Sequence, residues 1–226
     1  MAWFSEAFLD FFMELAPNNH KAWFDANRHI YQDQVRKPFL AFTQALIDEL
    51  GKRDARLVQP AASCLFRINR DIRFSKNKEP YKLHMAAAIS VNGKKDAAGR
   101  LGLYFQFSPE AIMFAGGAYA PDKTELKRIR DYMAADPAKF EKAISDEAFR
   151  KRYGGIKGDK NKRLSEPEHK AAAELQPLMY NKQFYYMAQY EDAMPLLNND
   201  LLEWSLAHYD DALPVAQYFE QALTQS

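Results

Sequence analysis

The residues best suited to chemistry lie together between Arg67 and His84. This stretch carries six bases (Arg67, Arg70, Arg73, Lys76, Lys78, Lys82), two acids (Asp71, Glu79), Tyr81 and His84. Side chains alternate along a strand, so an extended Leu65–Phe74 directs Phe66, Ile68, Ile72 and Phe74 to one face, joined by Arg70. Arg67, Asn69, Asp71, Arg73 and Ser75 take the other face as a guanidinium-rich ladder. A guanidinium is a planar fork of donors matched to phosphate or carboxylate. Neighbours on one strand face stand about 6.6 Å apart, so Arg73 can pair Asp71 and leave Arg67 for a ligand.

Two readings of the ladder stand side by side. It is an anion site, or it is a structural ion-pair network in which Asp71 holds two arginines. Three arginines against one aspartate favour binding. Arg67, Arg70, Asp71, Arg73, Lys78, Tyr81, Lys82 and His84 are therefore the candidate ligand-binding residues, with Arg70 on the apolar side of the strand. Tyr81 or His84 beside a guanidinium cluster is placed for general acid–base work. The commoner alternative is a histidine that ends a strand and is satisfied by backbone.

Other chemistries lack their motifs. His20, His29, His84, His169 and His208 show no paired metal-ligand spacing, and Cys64 has no partner cysteine, so no metal or cofactor is expected. No glycine-rich nucleotide loop and no nucleophile elbow occurs. Cys64, between Ser63 and Leu65, reads as a small buried hydrophobe. Gly116-Gly117 either lets backbone approach a ligand or marks a bulge.

The elements that position these residues follow from periodicity. Phe4, Phe8, Phe11, Phe12 and Leu15 recur at helical spacing and stop before Pro17. Asn18 or Asn19 offers an N-cap for a second helix through Trp23 and Ile30. A third begins near Lys37 with Pro38 in its first turn and ends at Gly51, taken as the C′ glycine. Strands are predicted over Leu65–Phe74, Leu83–Val91, Leu101–Phe107 and Ala111–Tyr119. Asn92-Gly93, extended by Lys94-Lys95-Asp96, turns between the second and third. Helices return after Pro121, with a short one near Ala171–Leu178, a strand at Phe184–Tyr190 and a last helix from about Asn198. Runs of helix flanking runs of strand, without β-α alternation, predict α+β: an antiparallel sheet meander flanked by N-terminal and C-terminal helices. One domain over residues 1–226 is expected, with helices at about 3–51, sheet at about 64–119 and helices at about 122–223.

Composition bounds the rest. At 47% hydrophobic and 14% aromatic, the 226-residue chain has the content of a folded protein. A net charge of +1 supplies no global field towards nucleic acid or anionic lipid. One cysteine, no signal-peptide pattern and no apolar run long enough to span a bilayer predict a soluble, cytoplasmic protein without membrane association. Charge is nonetheless uneven. Residues 150–163 carry seven bases (Arg150, Lys151, Arg152, Lys157, Lys160, Lys162, Arg163) against Asp159, whereas 189–226 carry seven acids and no Lys or Arg. Mutual neutralisation is the expectation, with the glycine-rich basic loop mobile and away from the main ligand site.

The Arg67–His84 segment resembles a widespread family of bacterial proteins, domain of unknown function 2461. The resemblance rests on Arg67, Arg70, Asp71, Arg73, Phe74, Asn77, Lys78 and Tyr81, with Pro80, Lys82 and His84 around them. Asn18-Asn19-His20-Lys21-Ala22-Trp23-Phe24, Pro38-Phe39 and Gly116-Gly117-Ala118-Tyr119-Ala120-Pro121 extend it over most of the chain. Leu164-Ser165-Glu166-Pro167-Glu168-His169 departs from the Pro-Lys-Gly-aromatic stretch usual in relatives. The resemblance implies no reaction, substrate or cofactor. The expected function is binding of, or chemistry on, a small anionic ligand bearing phosphate or carboxylate. The alternative is a module that binds nucleic acid or an acidic protein through a basic surface, with nucleic acid the less favoured partner.

Overall fold

A computed structural model of the chain describes residues 2–94 and 101–224. Lys95 and Asp96, expected to extend the Asn92-Gly93 turn, lie outside the described residues. The turn itself forms: the Gly93 N–H donates to the Ser90 carbonyl at 2.9 Å, and Gly93 adopts φ +79°.

The architecture is α+β. Helix α1 (Glu6–Leu15) buries Phe8, Phe11, Phe12 and Leu15 and ends before Pro17. Helix α2 (Lys21–Ala26) is capped by His20, whose Nδ1 accepts from the Trp23 N–H at 3.3 Å, and not by Asn18 or Asn19. A one-turn α3 (Arg28–Ile30) and a π-helical turn (Tyr31–Arg36) lead into α4 (Lys37–Arg53), with Pro38 in its first turn. Gly51 lies inside α4 and does not terminate it; a Cβ there would meet Val58 Cγ2 at 2.6 Å. The short α5 (Ala61–Cys64) buries Cys64.

The sheet is antiparallel in the order β1 (Met85–Ser90), β2 (Gly102–Phe107), β3 (Ile112–Ala118), β4 (Phe184–Tyr190). Three of these strands fall in the expected 64–119 range. The fourth, β4, lies in the region expected to be helical apart from a possible strand there. The expected Leu65–Phe74 strand does not form. Its first half touches the following chain only through isolated antiparallel bridges, Leu65↔Ala87 and Asn69↔Tyr81.

Contacts divide the chain into two compact units. The first comprises Met1–Ile89, Tyr104–Phe114 and Gln189–Leu206. Its core is aromatic: Phe39 and Phe42 pack on Phe105 and Phe107, with ring centroids 5.4–5.8 Å apart. Phe114 meets Trp204 edge-on at 5.2 Å. Alternation along β2 and β3 puts these rings on one face, which the helices cover.

The second unit comprises Ser90–Leu103, Ala115–Ala188 and Ala207–Ser226. Its helices are α6 (Lys123–Ala135), α7 (Pro137–Ile144), α8 (Glu147–Tyr153) and α9 (Pro167–Leu175), with most of the final α10 (Leu201–Thr224). Asp122, Asp136 and Asp146 cap the first three, Asp122 through a reciprocal box with Glu125. The helix expected near Ala171–Leu178 starts earlier, because Pro167 suits a first turn, and gives way to a 3₁₀ turn at Pro177–Tyr180. Within this unit Tyr186 is fully enclosed, 5.4 Å from Phe149 and 4.8 Å from Tyr153. A Cβ on Gly116 would overlap the Tyr186 phenol, so this glycine admits a ring and not a ligand. Among the described residues no helix is long and apolar enough to cross a membrane.

The basic segment 150–163 is held, contrary to the expected mobility. Its first residues belong to α8, which ends at Gly154 in the left-handed conformation. Lys157 pairs Tyr185 of β4 through N–H···O bonds of 2.7 and 3.2 Å, and the Asn161 and Lys182 N–H groups add two of 2.7 Å to Tyr180 and Asp159. Arg152 Nε meets Asp211 Oδ2 at 2.7 Å, the expected acidic partner in one place.

Candidate functional site

All eight predicted site residues lie in the first unit, on or beside two short antiparallel arms. The arms are Phe66–Arg70 and Pro80–Lys82. The Arg70 N–H donates to the Pro80 carbonyl and the Lys82 N–H to the Ile68 carbonyl, both at 2.8 Å. Asn69 and Tyr81 face each other between these bonds, so Phe66, Ile68, Arg70, Pro80 and Lys82 share the opposite face. Diagonal neighbours on such a face lie within reach of long side chains. Lys82 accordingly sets its Nζ over the Phe66 ring, 5.7 Å from the centroid.

Tyr81 is positional. Its backbone is clamped by Asn19, whose Nδ2 donates to the Tyr81 carbonyl at 3.0 Å and whose Oδ1 accepts from the Tyr81 N–H at 3.1 Å. Its ring lies flat on Phe24, 4.1 Å between centroids and 15° between planes. With only 5% of its surface exposed, Tyr81 anchors the arm and is poorly placed for acid–base work.

Beyond Arg70 the chain leaves extended pairing, and side chains replace a ladder. Asp71 takes Arg73 through two oxygens, at 3.0 and 2.7 Å. Lys78 Nζ donates to the Ile72 carbonyl at 2.9 Å. Glu79 accepts from Arg70 at 3.3 Å and from Asn77 at 2.9 Å. Phe74, predicted to face the core, is 95% exposed, beside the Arg73 guanidinium at 5.8 Å from its ring. The alternation ends before it could turn Phe74 inward.

Charge is therefore sorted. Asp71 neutralises Arg73, and the Arg73 guanidinium holds the Asp71 carboxyl below its ordinary range, with some help from Arg67. Glu79 lies against Arg70. Among the described residues Arg67 and Lys82 make no side-chain hydrogen bond or ion pair. Burial, and then the charges of Arg67 and Arg70, push the Lys82 ammonium below the usual lysine range.

His84 completes the group. From Leu65 to Asn69 is four steps, but the bridged partners Ala87 and Tyr81 are six apart, so two extra residues bulge from the second arm. The bends at Leu83 and His84 are that bulge. Burial first, then Lys82 and Arg70, lower His84 to about 4, so the imidazole is neutral at pH 7. Like Arg67, it has no hydrogen-bond partner among the described residues.

The geometry thus brings together Arg70, Lys82 and His84, with the exposed Arg67 on the Asn69–Tyr81 side yet near enough for its charge to act on Lys82, while Asp71 with Arg73, Lys78 and Tyr81 serve the local fold. Asn19, Glu79 and Phe66 matter here and were not among the predicted site residues. Asn19 stood in the Asn-Asn-His run noted for its resemblance, and its role required a contact across 62 positions. Among the described residues no three His, Cys, Asp or Glu gather as metal ligands.

A family model described as "Conserved hypothetical protein (DUF2461)" matches residues 7–218. The chain belongs to that family. The match takes in both arms and the Asn19 clamp. No curated protein and no solved structure matches the chain.

Proposed function

We propose that the protein binds a small anionic ligand, bearing phosphate or carboxylate, at Arg67, Arg70 and Lys82. The observation that carries this reading is the pair of cations, Arg67 and Lys82, left without side-chain counter-ions next to Arg70. Clustered, partly desolvated cations repel one another, and an anion that bridges them relieves that cost. Arg67 is exposed, so its fork can be reached from solvent.

The test is a titration with inorganic phosphate and with succinate, read as a rise in melting temperature. Arg67→Ala should weaken binding at least about tenfold, since a hydrogen bond to a charged group contributes about 1.5–3 kcal/mol. Equal affinity of wild type and variant would reject the site. A second reading, a module for nucleic acid or an acidic protein, draws its support from Phe74, an exposed ring among bases. Oligonucleotide affinity that falls steeply with salt and is lost in Phe74→Ala would favour it.

A further inference from the structure

Within the cluster, Lys82 differs from its neighbours in kind. The cross-strand register fixes its face: Phe66 lies on one diagonal and Arg70 on the other. Its Nζ sits over the Phe66 ring, its backbone is bonded to Ile68, and its amine has no side-chain hydrogen bond or ion pair among the described residues. A lysine whose task is a salt bridge has a carboxylate beside it. The nearby carboxylates, Asp71 and Glu79, are instead engaged by Arg73, and by Arg70 with Asn77. What remains is an amine on a half-buried surface, with the Arg70 guanidinium on its own face and the exposed Arg67 beside Ile68, its cross-strand partner, both near enough for their charges to act on it.

We propose that Lys82 is an imine-forming lysine, acting on a small aldehyde or ketone whose carboxylate or phosphate is held by Arg67 and Arg70. This rests on the anion-binding reading above and names its substrate class: an oxo acid or a phosphorylated carbonyl compound. The nitrogen lone pair of neutral Lys82 forms the C–N bond as the carbonyl π pair moves to oxygen. Both nitrogen protons pass to that oxygen, the C–O bond breaks, water leaves, and C=N remains. No electrons are gained or lost. His84, neutral in the adjoining bulge, is the base at hand to carry a proton from nitrogen to oxygen. Desolvation and neighbouring cations are the two influences that free a lysine amine for this chemistry, and both act on Lys82.

The experiment is reductive trapping of the whole protein at pH 7 with glyoxylate and cyanoborohydride, followed by peptide mapping. Lys82 should be modified at least about tenfold faster than the exposed Lys76 of the same segment, because an anionic group held beside it raises the effective concentration of the carbonyl at its amine. Acetaldehyde, which lacks the anionic group, should lose that preference, and so should Arg67→Ala with glyoxylate. Lys82 reacting no faster than Lys76 overturns the imine; if the Arg67-dependent phosphate response persists, the anion site still stands. Fast labelling of Lys82 with either aldehyde, unaffected by Arg67→Ala, would mark a reactive lysine without the anion site and overturn the proposal as stated. Loss of both selectivity and phosphate response brings down both readings.

Discussion

Two basic segments of nearly equal charge handle it in opposite ways. Residues 150–163 carry seven bases, and residues 67–84 carry six. In the first, Arg152 is paired to Asp211 with both side chains 23% exposed, Lys157 Nζ reaches the Met187 carbonyl at 3.3 Å, and the backbone is bonded to β4. In the second, the carboxylates of Glu79 and Asp71 are spent on Arg70 and Arg73, while Arg67 and Lys82 make no side-chain hydrogen bond or ion pair among the described residues. A count of bases does not distinguish the two segments. What distinguishes them is where the acids and carbonyls go.

The largest effect that sharpens this contrast concerns the way the 150–163 segment is held. Gly158 adopts φ +153°, a region L side chains rarely occupy, and a Cβ there would overlap the Gln183 carbonyl oxygen. Gly158→Ala should therefore cost about 3 kcal/mol, combining backbone strain with overpacking. A denaturant midpoint indistinguishable from wild type would mean the segment is not fixed to β4 as described.

Next in size is a pH dependence belonging to the other segment. His84 is lowered to about 4 in the folded protein, against 6.5 in an unfolded chain. Between those values the unfolded state binds the proton and the folded state does not, so stability rises with pH across that window. The contribution is fully present above pH 6.5 and is lost as pH falls towards 4. Allowing for partial exposure, the loss is about 2 kcal/mol at pH 4. Asp71, Asp25 and Asp33 are held below the ordinary carboxylate value of 3.8, so their contributions are lost only at lower pH. His84→Gln should flatten the stability profile between pH 6.5 and 4. An unchanged slope in that variant would place the titrating group elsewhere.

How much of this was legible in sequence depends on the range of the interaction. Helix α1, Pro38 in the first turn of α4 and the strand Phe184–Tyr190 follow from local periodicity and turn chemistry, and they form as read. The cation cluster was legible as composition; Asp71 does take Arg73, but through a local turn that also bonds the Arg73 N–H, not through the strand spacing that suggested the pair. The Leu65–Phe74 strand was misread because its alternation is real only as far as Arg70. Past that point Asp71 and Lys78 satisfy neighbouring groups locally, and no ladder is required. The Asn19 clamp on Tyr81 and the two-residue bulge at His84 come from chain segments meeting in space, for which the sequence holds no local signal. Gly51 misled for a related reason: it admits Val58 within the helix, whereas a glycine near a helical end ordinarily marks a stop.

The smallest predicted effect probes the comparison most directly. Lys157, Lys160 and Lys162 give the 150–163 segment almost half its positive charge. Yet the bonds that fix it run through backbone, at Lys157 with Tyr185 and at Asn161 with Tyr180. Replacing all three lysines with Ala leaves those bonds and Gly158 in place. It removes only exposed charges and the 3.3 Å contact from Lys157 to the Met187 carbonyl, for which about 0.5 kcal/mol is a generous allowance. The triple variant should therefore melt within a degree or two of wild type, by the scaling of stability to melting temperature. Its phosphate affinity should also be unchanged, whereas Arg67→Ala loses most of that affinity. A triple variant that no longer responds to phosphate, together with an Arg67→Ala protein that still does, would reverse the comparison. The binding surface would then be the held segment, and a ligand of many charges would replace the small anion.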